Sequence, residues 1–262
     1  MRYKYNSLED FLISNRLTVD GTLDDGWGSQ FAVKGREVEV AILFADIAGF
    51  SRRTQDLSPT ETLIFVNNFF AWITAEAINH RPCIVDKYIG DEVMVLFSKE
   101  FGSEDSFVDA LQTARWIAEN DALSFSPHIG IASGLVTVGF VGTPVKYDCS
   151  VFGLPVTIAS RCAGIKPAES HSASIVFPSK LWEGYVFEEV FTPERIQMPD
   201  GRVEERPHAW KMCNRRQVPI KNMGELEVRE IIKTSVWFPS ETAVERAKAG
   251  MNALKAQGSY RG

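Results

Sequence analysis

The stretch Val38-Glu39-Val40-Ala41-Ile42-Leu43-Phe44-Ala45-Asp46-Ile47-Ala48-Gly49-Phe50-Ser51 decides how the rest of the chain is read. Residues 38–45 form an apolar run broken only by Glu39, which predicts a buried strand ending at Asp46. An unpaired carboxylate is costly to bury, so Asp46 belongs at the strand exit with a cation beside it. Gly49 lets the backbone come close to a ligand. Taken alone, Asp46 reads equally well as a turn or cap residue.

Downstream, Ser58-Pro59-Thr60-Glu61 is a capping box with proline at the first helical position. Leu63, Val66, Asn67, Phe70, Ile73 and Ala77 continue at helical spacing to His80. Residues 83–88 and 92–97 are strand-like and flank Ile89-Gly90-Asp91, a hairpin. A second helix is expected from about 104 to 120. A second hairpin is expected from 128–132 and 135–141 around Ser133-Gly134. A third helix should run from Pro155 to Gly164, then a strand over 174–177 and a short helix over 178–185. Further strands are expected near 186–191 and 225–232. The order β-α-β-β-α-β predicts an α+β, ferredoxin-like fold, an antiparallel-rich sheet with helices on one face.

The organisation expected is an arm over 1–36 with a short helix at Leu8, Phe11, Leu12 and Ile13, a catalytic domain over 37–233 and a helical tail over 234–262. In the tail, Val244, Ala247, Met251 and Leu254 form a stripe that suits packing on its own domain. The apolar run 40–50 falls short of the roughly 20 residues of a spanning helix. No signal peptide opens the chain. Four cysteines without CxxC spacing argue against a zinc site and for a reducing, cytoplasmic location. A net charge of −6 without a polybasic run argues against nucleic acid or membrane as partner. His80, His128, His171 and His208 have no ligand spacing, and Trp210 and Trp237 read as packing residues. Arg52-Arg53 reads as a solvated loop.

The hairpin tip carries a second carboxylate, Asp91. Two carboxylates at neighbouring strand ends can share hard cations such as magnesium or manganese, which in turn hold a triphosphate. In Ser150-Val151-Phe152-Gly153-Leu154-Pro155-Val156-Thr157-Ile158-Ala159-Ser160-Arg161, the last helix puts Thr157 and Arg161 on one face.

Together these segments resemble class III nucleotidyl cyclases, the adenylate and guanylate cyclase family, over about residues 38–233. Residues 44–51 are similar to the first metal-aspartate motif and 87–94 to the second. Residues 150–161 fall on the stretch with base-contacting and transition-state groups, and 218–224 on the closing segment with a phosphate-binding lysine, Lys221. The resemblance implies that Asp46, Asp91 and the Ile47 carbonyl hold two divalent ions, Mn2+ or Mg2+. Gly49, Phe50, Lys87, Ser150, Thr157 and Lys221 would bind nucleotide, and Arg161 would stabilise the transition state. It also implies a homodimer with two shared sites, the aspartates from one chain and Lys87, Ser150, Arg161 and Lys221 from the other. Lys87 with Ser150 is nearest the family's Lys–Thr adenylate pairing. The usual asparagine of the last helix is Thr157 here, however, and the usual Gly-Asp before it is Gly153-Leu154. Residues 141–153, with Arg161-Cys162-Ala163-Gly164, look like the stand-alone pyrimidine cyclases of bacterial Pycsar antiphage systems, which make cyclic UMP or cyclic CMP read by a separate effector. The expectation is therefore a pyrimidine triphosphate cyclase, UTP ahead of CTP. The alternatives are an adenylate cyclase and an inactive nucleotide-sensing domain. Retention of Asp46, Asp91, Arg161 and Lys221 argues against the inactive domain.

Overall fold

The computed structural model describes residues 4–24, 30–121, 125–143, 146–167, 173–197, 202–206, 209–234 and 243–256. In chain order these form α1 (Leu8–Ser14), β1 (Val19–Asp24), β2 (Gln30–Asp46), α2 (Phe50–Thr54), α3 (Pro59–His80), β3 (Ile84–Ile89), β4 (Glu92–Phe97) and α4 (Ser106–Glu119). They continue with β5 (His128–Thr143), β6 (Lys146–Phe152), α5 (Leu154–Ala163), β7 (Ser174–Pro178), a 3-10 turn (Ser179–Trp182) and α6 (Phe187–Val190). The last are β8 (Glu194–Gln197), β9 (Val203–Arg206), β10 (Trp210–Met212), β11 (Arg216–Ile220), β12 (Gly224–Lys233) and α7 (Ala243–Ala256).

The expected α+β unit forms one end of a ten-stranded sheet, in the order β5-β2-β4-β3 with antiparallel neighbours throughout and β3 at the edge. β7 joins β5 in parallel and carries the sheet on to β12 and β10. β8 and β9 pair only with each other. The capping box forms as read: Glu61 N–H donates to Ser58 Oγ, and the Glu61 carboxylate accepts from Ser58 N–H at 3.0 Å. The hairpin turns at Gly90, whose φ of 63° is left-handed and favours glycine.

Helices cover both faces of the sheet, not one. Ala41, Leu43 and Ala45 of β2 face α3 and α4 in the larger core. Val40, Ile42 and Phe44 face α1 and α5 in a second. A strand buried on both sides needs the unbroken apolar run seen here. The sheet also continues across the arm boundary at residue 36, because β2 begins at Gln30 and β1 pairs with it. Leu8, Phe11 and Leu12 fall at helical spacing, and all three are buried in the second core. In the tail, Met251 is buried in the larger core and Lys248 lies 3.6 Å from Asp56, so α7 packs on its own domain. Val244, Ala247 and Leu254 are among the side chains not described.

Two further expectations are corrected. Ser133-Gly134 is no turn: β5 runs straight through it, with Ala41 opposite Ser133 and Val40 opposite Gly134, and the chain reverses only after Thr143. Two glycines of β5, Gly130 and Gly134, serve helix packing instead. A β-carbon on Gly130 would lie 2.0 Å from the Ala159 carbonyl oxygen and 2.2 Å from the Ala163 nitrogen. One on Gly134 would lie 3.0 Å from Pro155 Cγ. The backbone of α5 therefore rests directly on the strand, which fixes where Thr157 and Arg161 project. Residues 186–191 are not a strand either. Phe187 and Phe191 sit at i, i+4 and their rings stack with centroids 4.9 Å apart, which suits α6. Trp210 is buried and its indole N–H donates to Glu119 Oε1 at 2.9 Å, while Trp237 lies outside the described residues.

Candidate active site

Antiparallel pairing of β2 with β4 sets the acidic end of the site. Asp46 is the last residue of β2 and lies opposite Glu92, beside Asp91 at the hairpin tip. Asp46 Oδ1 is buried and has no hydrogen-bond partner among the described residues. Gly49, at φ 67°, then turns the chain into α2. The Ile47 carbonyl accepts from Phe50 N–H at 3.2 Å and keeps a second lone pair. Asp46, Ile47, Gly49, Phe50 and Asp91 line one cleft of about 610 Å³.

Arg53 is not solvated. It is 1% exposed, and its Nε donates to the Ala48 carbonyl at 2.9 Å, bracing the loop from beneath. Arg52 is exposed and lines the cleft.

Burial pushes the Asp46 carboxyl up from 3.8 to about 8, helped by its contact with Asp91 and the negative charges of Asp91 and Glu92. Glu92 is raised as well, chiefly by burial and then by Asp91, against the pull of Arg161. A divalent cation relieves such an arrangement, because its charge offsets the crowded carboxylates and it satisfies the orphaned oxygen. Among the described residues no cluster of three or more His, Cys, Asp or Glu side chains could hold a metal. The donors fit an ion that completes its shell with phosphate oxygens and water.

A pH dependence follows from Asp46. Between about pH 4 and pH 8 the folded, metal-free chain keeps a proton that the unfolded chain has released, so stability falls as pH rises through that window. The melting temperature of chelator-treated protein is expected to drop across this range, and Mn2+ to bind more tightly toward its upper end. Asp46→Asn should flatten both trends. A melting temperature that rises over the window, with Mn2+ affinity independent of pH, would contradict the assignment.

A second cleft, of about 460 Å³, is cationic. Arg161 from α5, Lys221 from the β11–β12 turn, Lys166 and Arg216 line it, with Glu92 as an acidic neighbour. The buried carboxylate of Glu230 holds Arg216 at 3.3 Å, and Arg216 also donates to the Lys166 carbonyl at 2.9 Å. Thr157 and Arg161 are both exposed on one face of α5, as their spacing implied. The third group of expected residues is also together: Lys87 Nζ donates to Ser150 Oγ at 2.6 Å, joining β3 to β6. A separate apolar cavity of about 300 Å³ between β1, β2 and the β5–β6 hairpin contains none of these residues.

Sequence reading missed Glu92, Lys166 and Arg216. Glu92 was within sight, since a residue opposite Asp46 follows from pairing the two strands at their ends. Nothing local marks Lys166 or Arg216, which converge from the end of α5 and from β11 only through the fold.

Solved cyclases share this architecture. The adenylyl cyclase CyaB from P. aeruginosa superposes with a TM-score of 0.56 at 17% identity, covering 79% of this chain and 98% of that one. The guanylyl cyclase Cya2 gives 0.55 at 18%, covering 80% and 98%. At such identities the likeness is one of fold. The sequence match decides the family: the model described as the Adenylate and Guanylate cyclase catalytic domain matches residues 33–169, just over half of the chain, and the protein belongs to that family. An adenylate cyclase of Anabaena cylindrica is 33% identical over 138 residues, 48% of this chain and 27% of that protein. An uncharacterised protein of Mycobacterium tuberculosis is 31% identical over 153 residues, 57% of this chain and 26% of that one. The chain thus spans about a quarter of the length of these curated relatives. Among the described residues no helix is long and apolar enough to cross a membrane.

Proposed function

We propose that the protein is a nucleotide cyclase acting as a homodimer. It converts a pyrimidine nucleoside triphosphate, UTP before CTP, to the 3′,5′-cyclic monophosphate and pyrophosphate. Asp46, Asp91 and the Ile47 carbonyl would hold two divalent ions, Mg2+ or Mn2+. When bound, these lower the pKa of the ribose 3′-hydroxyl and neutralise the triphosphate. The 3′-oxygen bonds to the α-phosphorus as the bond to the bridging oxygen breaks, and pyrophosphate leaves. Arg161 and Lys221 spread the charge that develops on the phosphates. Within one chain the carboxylates and the cations line two clefts. This division supports a site completed by a second copy, with Arg161 and Lys221 facing the partner's aspartates.

The Lys87–Ser150 hydrogen bond carries the choice of base. Ser150 Oγ already accepts from Lys87, so its hydroxyl hydrogen is free to point outward. Beside it Lys87 has further N–H groups, and the pair offers adjacent donors. A uracil carbonyl accepts both. An amino group, which adenine and cytosine carry in its place, cannot accept from an ammonium. Adenine and cytosine then leave these donors unpaired, while the preference for a pyrimidine over guanine, and for CTP as the second substrate, rests on the Pycsar-like segments. The cyclic pyrimidine nucleotide would serve as a messenger in antiphage defence, read by a separate effector in the cytoplasm, as the Pycsar-like segments suggest.

The 33% identity to an adenylate cyclase favours a second reading, ATP as substrate. Incubation with each of the four triphosphates and Mn2+, with products read by mass spectrometry, separates the two. Cyclic UMP is expected to dominate, with cyclic CMP second. Cyclic AMP formed at least as fast as cyclic UMP would replace the pyrimidine reading with the adenylate one.

A further inference from the structure

We infer that Asp86 sets base specificity by orienting Lys87, an inference that rests on reading Lys87 and Ser150 as the base-recognition pair. β3 is the edge strand of the sheet, and its register with β4 slips by one residue between Val85 and Lys87. Val85 lies opposite Val95 and Lys87 opposite the next residue back, Met94, so Asp86 is the extra residue of a β-bulge. A bulge beside a site re-aims a side chain that strict alternation would send to the other face. Tyr88 pins the strand just beyond it. Its ring stacks on Phe70 with centroids 4.3 Å apart, and its hydroxyl lies 2.7 Å from that of Thr74.

The bulge brings the Asp86 side chain, only 6% exposed, to 3.2 Å between Oδ2 and Lys87 Nζ. That oxygen is buried and makes no hydrogen bond among the described residues. Its charge faces the Lys87 ammonium, and Asp86 so divides Lys87 with Ser150. One N–H of Lys87 goes to Ser150, another side of the ammonium faces Asp86, and the remainder is aimed at the base. Without the carboxylate, the flexible lysine stem has no second anchor and samples other positions.

The test is Asp86→Asn, which keeps shape and removes charge. Two readouts apply: kcat and KM for each triphosphate, and calorimetric binding of the 3′-deoxy triphosphates, which lack the attacking hydroxyl. KM and the dissociation constant for the preferred triphosphate should rise about 10-fold, with kcat changing far less, and preference over the other bases should narrow by a similar factor. The melting temperature should change little, because Lys87 is partly exposed and water can solvate its ammonium once the carboxylate is gone. Asp86→Ser, smaller and also neutral, must give the same pattern. An unchanged base ranking, or a loss confined to kcat and equal for all four triphosphates, overturns the inference. If the wild type prefers ATP, the pyrimidine reading fails but Asp86 is still tested, on ATP. If Lys87→Ala leaves the ranking intact, the base pair itself is misassigned and this inference falls with it.

Discussion

Asp46→Asn and Asp91→Asn are each expected to leave a folded protein whose cyclase turnover has fallen by at least about 100-fold, the scale of losing a metal that orients and activates the nucleophile. The fold should survive because the carboxylates strain it when no cation is present. Asp46 is half-buried, carries an unpartnered oxygen and lies against the charges of Asp91 and Glu92. An amide at position 46 removes one of three crowded charges. Metal-free Asp46→Asn should therefore melt no lower than wild type at pH 8 while losing its thermal shift on adding Mn2+. That pairing separates a lost ion from a lost structure. Near-normal turnover in either variant would end the assignment of these carboxylates to metal, and lowered melting with the Mn2+ shift intact would point to a purely structural Asp46.

What made the fold legible was local signal strong enough to survive any tertiary setting. The apolar run before Asp46, the capping box at Ser58 and the glycine turn at Gly90 each stand as read. Where the reading went wrong, the deciding contact came from elsewhere in the chain. Ser133-Gly134 has the composition of a turn, but the missing side chains at Gly130 and Gly134 accommodate α5, which lies about twenty residues or more further on. The short helix read at Leu8, Phe11 and Leu12 does form, but its burial on Phe101 and its neighbours comes from a contact about ninety residues away that the arm itself does not show. The second helical layer follows from residues 40–45 of β2, which are apolar on both faces and so need covering on both.

The site divides in the same way. Asp46 with Asp91, Lys87 with Ser150, and Arg161 with Lys221 come together in pairs as the motifs implied. The resemblance grouped them, since the members of each pair come from different elements far apart in the chain. The residues that support them were illegible, because burial decided their roles. Arg53 read as a solvated charge, but its guanidinium lies beneath the Asp46 loop. Asp86 read as one residue of a strand, but the slip in register on β3 turns it toward Lys87. No periodicity announces a bulge of a single residue.

Mixing Asp46→Asn chains with Arg161→Ala chains is expected to restore activity that neither has alone. If each site takes its aspartates from one chain and its arginine from the other, each homodimer carries a lesion in both sites. In the heterodimer the two lesions fall in the same site, and the other site is intact. At equal mixing half the dimers are mixed, each with one working site of two, so about a quarter of wild-type turnover should return. The recovery must depend on subunit exchange, appearing as heterodimers form and vanishing when each homodimer is cross-linked beforehand. Two variants that lesion the same half, Asp46→Asn with Asp91→Asn, supply the control. Their heterodimers have one damaged carboxylate in each site and should stay inactive. The division of charge within one chain motivates the experiment, since Asp46 and Asp91 line one cleft while Arg161 and Lys221 line another. Failure of the first mixture to recover, with exchange verified by mass, would mean that aspartates and arginine of the same chain act together, and the shared-site homodimer would be wrong even if the cyclase chemistry were right.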